Sequence, residues 1–258
     1  MNNTEATHVA LTRWVAGAGG RKVFEDAALA YDRVLGPLSQ TAVIEASSIR
    51  FRGWPGDFTG GCGASGGRNW IMIMAGAASF TADDGEARIF LPGDILELAD
   101  FGGDDLTMAA CDQQPVRAAE IGSEPPSQNA AAAPPGTMSE PALPYLRNIT
   151  GGDDRSHFED GTMSYSIAGD GSLTTEAIAI SGFQYVLASG DLNYDFHNAP
   201  QQQIVLPLIG GIRVRNGDGT ERELRPGSVF FGEDTTGQGH VTRAVDGEIR
   251  FSLFAHLV

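Results

Sequence analysis

The sequence predicts an all-β chain built as two tandem barrels of one kind, and three observations predict it. The chain repeats itself. Moved by 134 positions, residues 21–109 fall onto 155–243 without a gap. Arg21, Phe24, Glu25 and Asp26 meet Arg155, Phe158, Glu159 and Asp160, and Pro92-Gly93 meets Pro226-Gly227. This period far exceeds the roughly 20–50 residues of a solenoid or propeller unit, so it marks two copies of a whole domain. Within each copy, short runs alternate apolar and polar residues with the period of two of a half-buried strand. Turn signals recur about every 8–12 residues, as in sandwiches and barrels.

Taken in order, residues 1–20 read as a loosely docked arm. Phe24–Asp32 and part of 143–150 are the short helix candidates. In the first copy, residues 21–120, strands are expected at Trp70–Met74, Ala78–Thr81 and Ile95–Leu98, with turns at 83–86 and 91–94. Residues 121–143 hold Glu-Pro-Pro, Ala-Pro-Pro-Gly and Ser-Glu-Pro, the composition of a linker. The second copy, residues 144–258, has an apolar run at Ile204–Ile209 and an alternating strand at Gly211–Arg215. The hairpin turn Asn216-Gly217-Asp218-Gly219 follows, then Glu221–Leu224 and Val229–Phe231. At the end, Ile249, Phe251, Leu253 and Ala255 alternate with Arg250, Ser252, Phe254 and His256.

Composition sets limits. A chain of 258 residues suits two domains, each with its own core. The formal charge is −16, with 17 Lys and Arg against 33 Asp and Glu, which excludes the basic groove that tracks nucleic acid. No apolar run reaches the length of a membrane span. The amino terminus has neither the basic region nor the apolar core of a secretory signal, so a cytoplasmic location is expected. Cys62 and Cys111 make neither a disulfide framework nor a zinc cluster and are expected as free thiols.

The two copies differ where chemistry would sit. The second carries His197, Gln203 and His240, where the first has Gly63, Asn69 and Leu106. Side chains alternate along a strand, so residues 197 and 203 face one cavity if Pro200 does not break that strand. In the first copy, alternation puts Arg50, Arg52 and Trp54 on one face, as a metal-free ligand pocket or as packing between the barrels. Glu233 and Asp234 sit in a Thr- and Gly-rich turn, where capping that turn is the plain role.

Two segments carry a family resemblance. The first is Phe196-His197-Asn198-Ala199-Pro200-Gln201-Gln202-Gln203, followed by an apolar strand to Gly210. The second runs from Arg225-Pro226-Gly227-Ser228 through Gly232-Glu233-Asp234-Thr235-Thr236-Gly237-Gln238-Gly239-His240. The second copy resembles a cupin, and the whole chain a bicupin of two jelly-roll β-barrels. The second segment is similar to the closing cupin motif. The first departs from His-x-His-x₃-Glu, with Ala199 and Gln203 in place of a His and the Glu. The resemblance implies that His197, Gln203 and His240 hold a divalent first-row metal ion (Fe, Mn, Ni or Zn), with fewer imidazoles than usual and no carboxylate. A hydrogen-bonded, metal-free His pair is the plainer alternative. Tyr185, Tyr194, Arg243 and His256 are the candidates for binding a polar substrate.

Three functions follow from this. The first is a small-molecule enzyme of isomerase, lyase or dioxygenase type, with its site in the second barrel and a metal or a polarised carbonyl at its centre. The second is a non-catalytic, metal-free binding protein, a sensor or carrier. The third is a structural protein. The expected partner is a small molecule, not nucleic acid or membrane, and a homodimer is admitted.

Overall fold

A computed structural model of the chain describes residues 7–62, 67–99, 106–124 and 142–258. Among these the only helical feature is a 3-10 turn at Ala18–Gly20. The first unit supplies β1 (His8–Ala16), β2 (Lys22–Leu35), β3 (Leu38–Thr41), β4 (Ser48–Trp54), β5 (Thr59–Gly61), β6 (Asn69–Ala75), β7 (Ala78–Thr81), β8 (Ala87–Phe90), β9 (Ile95–Leu98), β10 (Thr107–Ala110) and β11 (Val116–Gly122). The second supplies β12 (Ala142–Thr150), β13 (Ser156–Ser164), β14 (Ser166–Ile167), β15 (Leu173–Thr174), β16 (Ile178–Ala188), β17 (Asn193–His197), β18 (Gln203–Ile209), β19 (Ile212–Asn216), β20 (Glu221–Leu224), β21 (Phe230–Gly232), β22 (His240–Ala244) and β23 (Arg250–Leu257).

Both units are jelly rolls. In the first, β9-β6-β11-β4 form one wall and β5-β10-β7-β8 the other. The second repeats this order as β21-β18-β23-β16 and β17-β22-β19-β20. The 134-residue repeat holds for single backbone pairs. Val186 opposes Gln40 as Arg52 opposes Thr174, and Ile44 bridges Phe183 as Ile49 pairs with Ile178. These pairs are reciprocal exchanges between units. Strand β3 of the first unit lies against β16 of the second, and β15 of the second against β4 of the first. The exchanges join the two large walls into one 15-stranded sheet.

The continuous apolar runs at β6 and β18 follow from burial on both faces. Ile204, Leu206 and Leu208 face a core shared with Ile49, Phe51, Trp70 and Met72 of the first unit, while Gln203 and Val205 line their own barrel. Trp70 meets Phe183 edge-on across this core at 5.0 Å. Each large apolar side chain sealed there contributes about 1.5–3 kcal/mol, so the units are held together by a true hydrophobic core. Gly76 and Gly210 end β6 and β18 at equivalent turns. Both have positive φ, and a Cβ on either would lie 2.3 Å from a backbone oxygen, of Pro115 or Ile249.

Three expectations change. Residues 8–16 of the supposed arm are strand β1, which pairs along its whole length with β2 and buries Val9, Leu11 and Trp14, while 1–6 lie outside the described residues. Residues 24–32 are not helical but part of the 14-residue β2, and 143–150 lie in strand β12. Of the expected linker, 121–122 close β11 and 142–143 open β12, while 125–141 lie outside the described residues.

Candidate functional site

The barrel of the second unit encloses a cavity of about 350 Å³. Its walls are mostly apolar, with Leu192, Val205, Ile212, Val214, Phe230 and Phe254 among them. The polar groups on its surface include His197, His240, Gln203, Thr242, Gln184 and Arg250. Leu38 and Gln40 also line it. They come from β3, so the exchanged strand of the first unit forms part of the second unit's cavity.

His197 and His240 meet across the β17–β22 pair, with ring centroids 4.6 Å apart. A register shift between Tyr194 and His197 gives β17 an extra residue and turns the His197 ring toward its partner. Gly239 makes this approach feasible. Its φ is +73°, and a Cβ there would lie 2.1 Å from the His197 carbonyl oxygen. Asn198 ties the two segments together, donating from Nδ2 to the Thr236 carbonyl at 2.6 Å.

Each imidazole is held through Nδ1. His197 Nδ1 lies 2.8 Å from the Asp195 carbonyl oxygen, which can only accept, so the proton sits on Nδ1 and Nε2 keeps its lone pair. His240 Nδ1 lies 2.6 Å from Asp234 Oδ2, and that oxygen also accepts from the Ser156 hydroxyl at 2.7 Å. Asp234 is fully buried. Such a carboxylate fixes both the tautomer and the orientation of the ring in front of it. Burial lowers the His197 pKa below the ordinary value, and the nearby His240 and Arg250 push it the same way. The Asp195 carbonyl and Asp234 oppose this shift.

Of the residues singled out in sequence, His197, Gln203, His240 and Tyr194 line the cavity. The shared-strand reasoning fails. The chain leaves the sheet between His197 and Gln203, at 198–202, and the two residues reach the cavity from different walls. Tyr185 does not line it. Tyr185 is sealed in the core between the units and stacks on Phe251 at 5.5 Å, and burial raises its pKa. Its neighbours Gln184 and Val186 take the cavity face instead. Arg243 is exposed and donates from Nε to Asn193 Oδ1 at 3.0 Å, while the adjacent Thr242 faces inward. His256 pairs across from Gln203 in the sheet, half-buried and outside the cavity lining, and burial lowers its pKa.

Three residues were missed. Asp234 does far more than cap a turn, since it holds His240. Ser156 supports Asp234. Arg250 lines the cavity from β23, where the first unit has Val116. Arg250 lies beyond the aligned residues 155–243, and it is the matching registers of β11 and β23 that set it against Val116.

The first unit is filled where the second is hollow. Phe80, Met108, Phe58 and Trp54 stand where the second unit has Val214, Thr242, Leu192 and Ala188, and all four belong to one buried cluster. Its interior charges are internally paired. Arg52 donates from Nη1 to Glu120 Oε2 at 2.9 Å, and Arg50 bonds the same carboxylate. The Arg50, Arg52 and Trp54 face is therefore packing and ion pairing. Gly63, the first unit's counterpart of His197, lies outside the described residues.

For a metal ion, the donors on offer are two imidazoles and the Gln203 amide. Among the described residues, no three His, Cys, Asp or Glu side chains gather as a metal-holding group. Asp234 is committed to His240 and Ser156, and the cation Arg250 lines the same cavity. This donor set is short of ligands and of negative charge for a tightly held divalent ion.

No family model matches the chain, and no curated protein matches it. Among solved structures, it is similar to a cupin 2 conserved barrel domain protein from Leptotrichia buccalis, at 12% identity and TM-score 0.43, over 99% of this chain and 92% of that one. It is also similar to the protein Ylba from E. coli, at 11% identity and TM-score 0.41, over 88% and 86%. AerE from Microcystis aeruginosa matches at 9% identity and TM-score 0.34, over 98% and 100%. No helix among the described residues is long and apolar enough to cross a membrane.

Proposed function

We propose that the chain is a cupin-type small-molecule enzyme whose second barrel moves a proton next to a carbonyl group, as an isomerase or a lyase of the eliminating kind. The carrying observation is the Ser156–Asp234–His240 chain, which leaves His240 Nε2 as a base on the wall of a largely apolar cavity. Nε2 takes the proton from a carbon beside the carbonyl, and the C–H electron pair passes to the carbonyl oxygen as an enolate. The Gln203 amide, which bonds no other described side chain, donates to that oxygen. The protonated ring, stabilised by Asp234, returns the proton to a different carbon or face, or to a leaving group. The test is solvent exchange. A panel of aldehydes, ketones and oxo acids is incubated in D₂O with wild type and His240→Gln, and deuterium uptake is read by NMR. Uptake by wild type and loss of uptake in the variant support the reading. No uptake with any member, or equal uptake in both proteins, overturns it.

One observation favours a second reading. Both imidazoles are bonded through Nδ1 and keep Nε2 free, the arrangement of a metal-ligating His with an outer partner. In this reading His197, His240 and Gln203 would hold a weakly bound divalent ion, which would supply Lewis acidity to a bound carbonyl compound. Metal content of untagged protein, with His240→Ala as control, separates the two readings. A stoichiometric ion lost in the variant favours the metal.

A further inference from the structure

Among the described residues, Arg250 is a buried cation on the cavity wall with unmatched donors. It is 4% exposed and lines the cavity. Its Nε and Nη1 are sealed from solvent and have no acceptor, and no carboxylate pairs with it among the described residues. Burial pulls its pKa down to about 10, so it remains a cation at neutral pH. A sealed, unpaired charge is costly for a fold, and partners normally accompany one. The first unit shows this rule in practice, since its buried Arg52 has Glu120. In the second unit Phe254 occupies the position of Glu120, and Arg250 stands where the first unit has Val116. The second unit thus has a cation at the Val116 position and an apolar residue at the Glu120 position, both on the cavity face.

We infer that Arg250 is the anchor for a carboxylate group of the substrate, and that the site takes organic monocarboxylates with a compact apolar body. Nη2 is the guanidinium nitrogen that is not sealed, and its charge-assisted hydrogen bond to a carboxylate oxygen anchors the ligand. Among the described residues no second Lys or Arg lines the cavity, so one negative charge is what it can neutralise. Ser252, on the same strand face, is buried with an unbonded hydroxyl, and Gln184 lines the cavity one strand away. Val205, Val214, Phe230 and Phe254 supply the apolar walls. This deepens the proton-transfer reading and rests on it for the word substrate. The carboxylate on Arg250 would hold a carbonyl compound in register with His240 and Gln203.

The test needs no knowledge of the natural ligand. Thermal unfolding is followed at constant ionic strength with straight-chain monocarboxylates from acetate to hexanoate, and with the corresponding neutral amides. The acids should raise the Tm of wild type, more so with chain length as the apolar walls are covered, and the amides should not. Arg250→Met should abolish the acid-dependent shift and weaken acid binding at least about tenfold by calorimetry. Arg250→Lys should keep part of it. Without ligand, Arg250→Met should unfold at the wild-type temperature or about 2 °C or more above it, because an unpaired charge has been exchanged for an apolar chain of similar size. Three results would overturn the anchor: amides that shift Tm as much as acids, acids that leave wild type unchanged, or Arg250→Met that unfolds early yet still responds to acids. The two readings fail separately. Wild type that binds the acids and exchanges no hydrogen removes the proton transfer and keeps the anchor. Hydrogen exchange on neutral ketones with no response to acids does the reverse.

Discussion

Replacing Asp234 with Asn tests the support of the site. The side chain is fully buried, and its Oδ2 accepts from both His240 and Ser156. Asn keeps the volume but removes the charge and leaves one acceptor oxygen for two donors. A hydrogen bond to a charged group contributes about 1.5–3 kcal/mol and a neutral one nearer 1. One bond is lost and the other weakened, so Asp234→Asn should cost about 2–3 kcal/mol. At about 2–4 °C per kcal/mol for a chain of this size, Tm should fall by about 4–12 °C. Ser156→Ala removes one of the two bonds and should cost about half as much. Thermal unfolding by circular dichroism measures both. The substitution also frees the His240 proton to move to Nε2, because an amide can donate as well as accept. Solvent exchange should therefore fall by about 10²-fold or more. If Asp234→Asn unfolds within about 1 °C of wild type and keeps its exchange rate, the carboxylate does not hold the ring, and the reasoning fails.

The remaining predictions concern pH, backbone and cavity. His197 and His256 have lowered native pKa values through burial, so the unfolded chain binds protons more readily. Their stabilising contribution is complete above the unfolded imidazole value of 6.5 and is lost as pH falls from there through the native values. Urea denaturation of chelator-treated protein should show stability falling on that acid limb, with a smaller slope in His197→Gln. An unchanged slope would contradict the burial argument. Gly239→Ala forces a Cβ against the His197 carbonyl and should cost about 2–4 kcal/mol. Gly219→Ala, at a positive-φ turn with open space around it, should cost only about 1–2 kcal/mol in the same denaturation assay. Val214→Phe with Thr242→Met copies Phe80 and Met108 into the second barrel. This pair should abolish binding of the monocarboxylates by calorimetry while the protein stays folded; full retention of binding would place the ligand elsewhere.

Much of the fold was legible because the repeat and the turns are local signals. One offset located equivalent strands in both units, and the structure keeps that equivalence even in the pairs Arg52–Thr174 and Val186–Gln40, which the sequence did not indicate. Strand β2 was misread because the Ala, Leu and Glu residues of 24–32 favour helix. Its half-buried Ala27, Leu29 and Tyr31, spaced by two, carried the strand signal, and pairing with β1 overrode the propensity. The exchange of β3 and β15 was not legible, because it depends on how the two units dock. In the site, His197, Gln203 and His240 stood out as differences between the copies. Asp234 was read as capping its turn, because its place in a Thr- and Gly-rich segment does not show what the side chain touches. Tyr185 was misplaced by one position of strand parity, which decides whether a side chain enters the cavity or the core between the units.

The arrangement to be tested is that of the neutral His240 ring: its proton on Nδ1 against Asp234, with the Nε2 lone pair facing the cavity. ¹⁵N NMR of histidine-labelled protein, assigned with His240→Gln and His197→Gln, measures this directly. The account predicts that the neutral rings of both residues carry their proton on Nδ1, and that both Nε2 signals move when a monocarboxylate binds. It also predicts that Asp234→Asn disturbs only the His240 tautomer. A His240 ring with its proton on Nε2 in wild type, or signals at both residues indifferent to ligand, would contradict it.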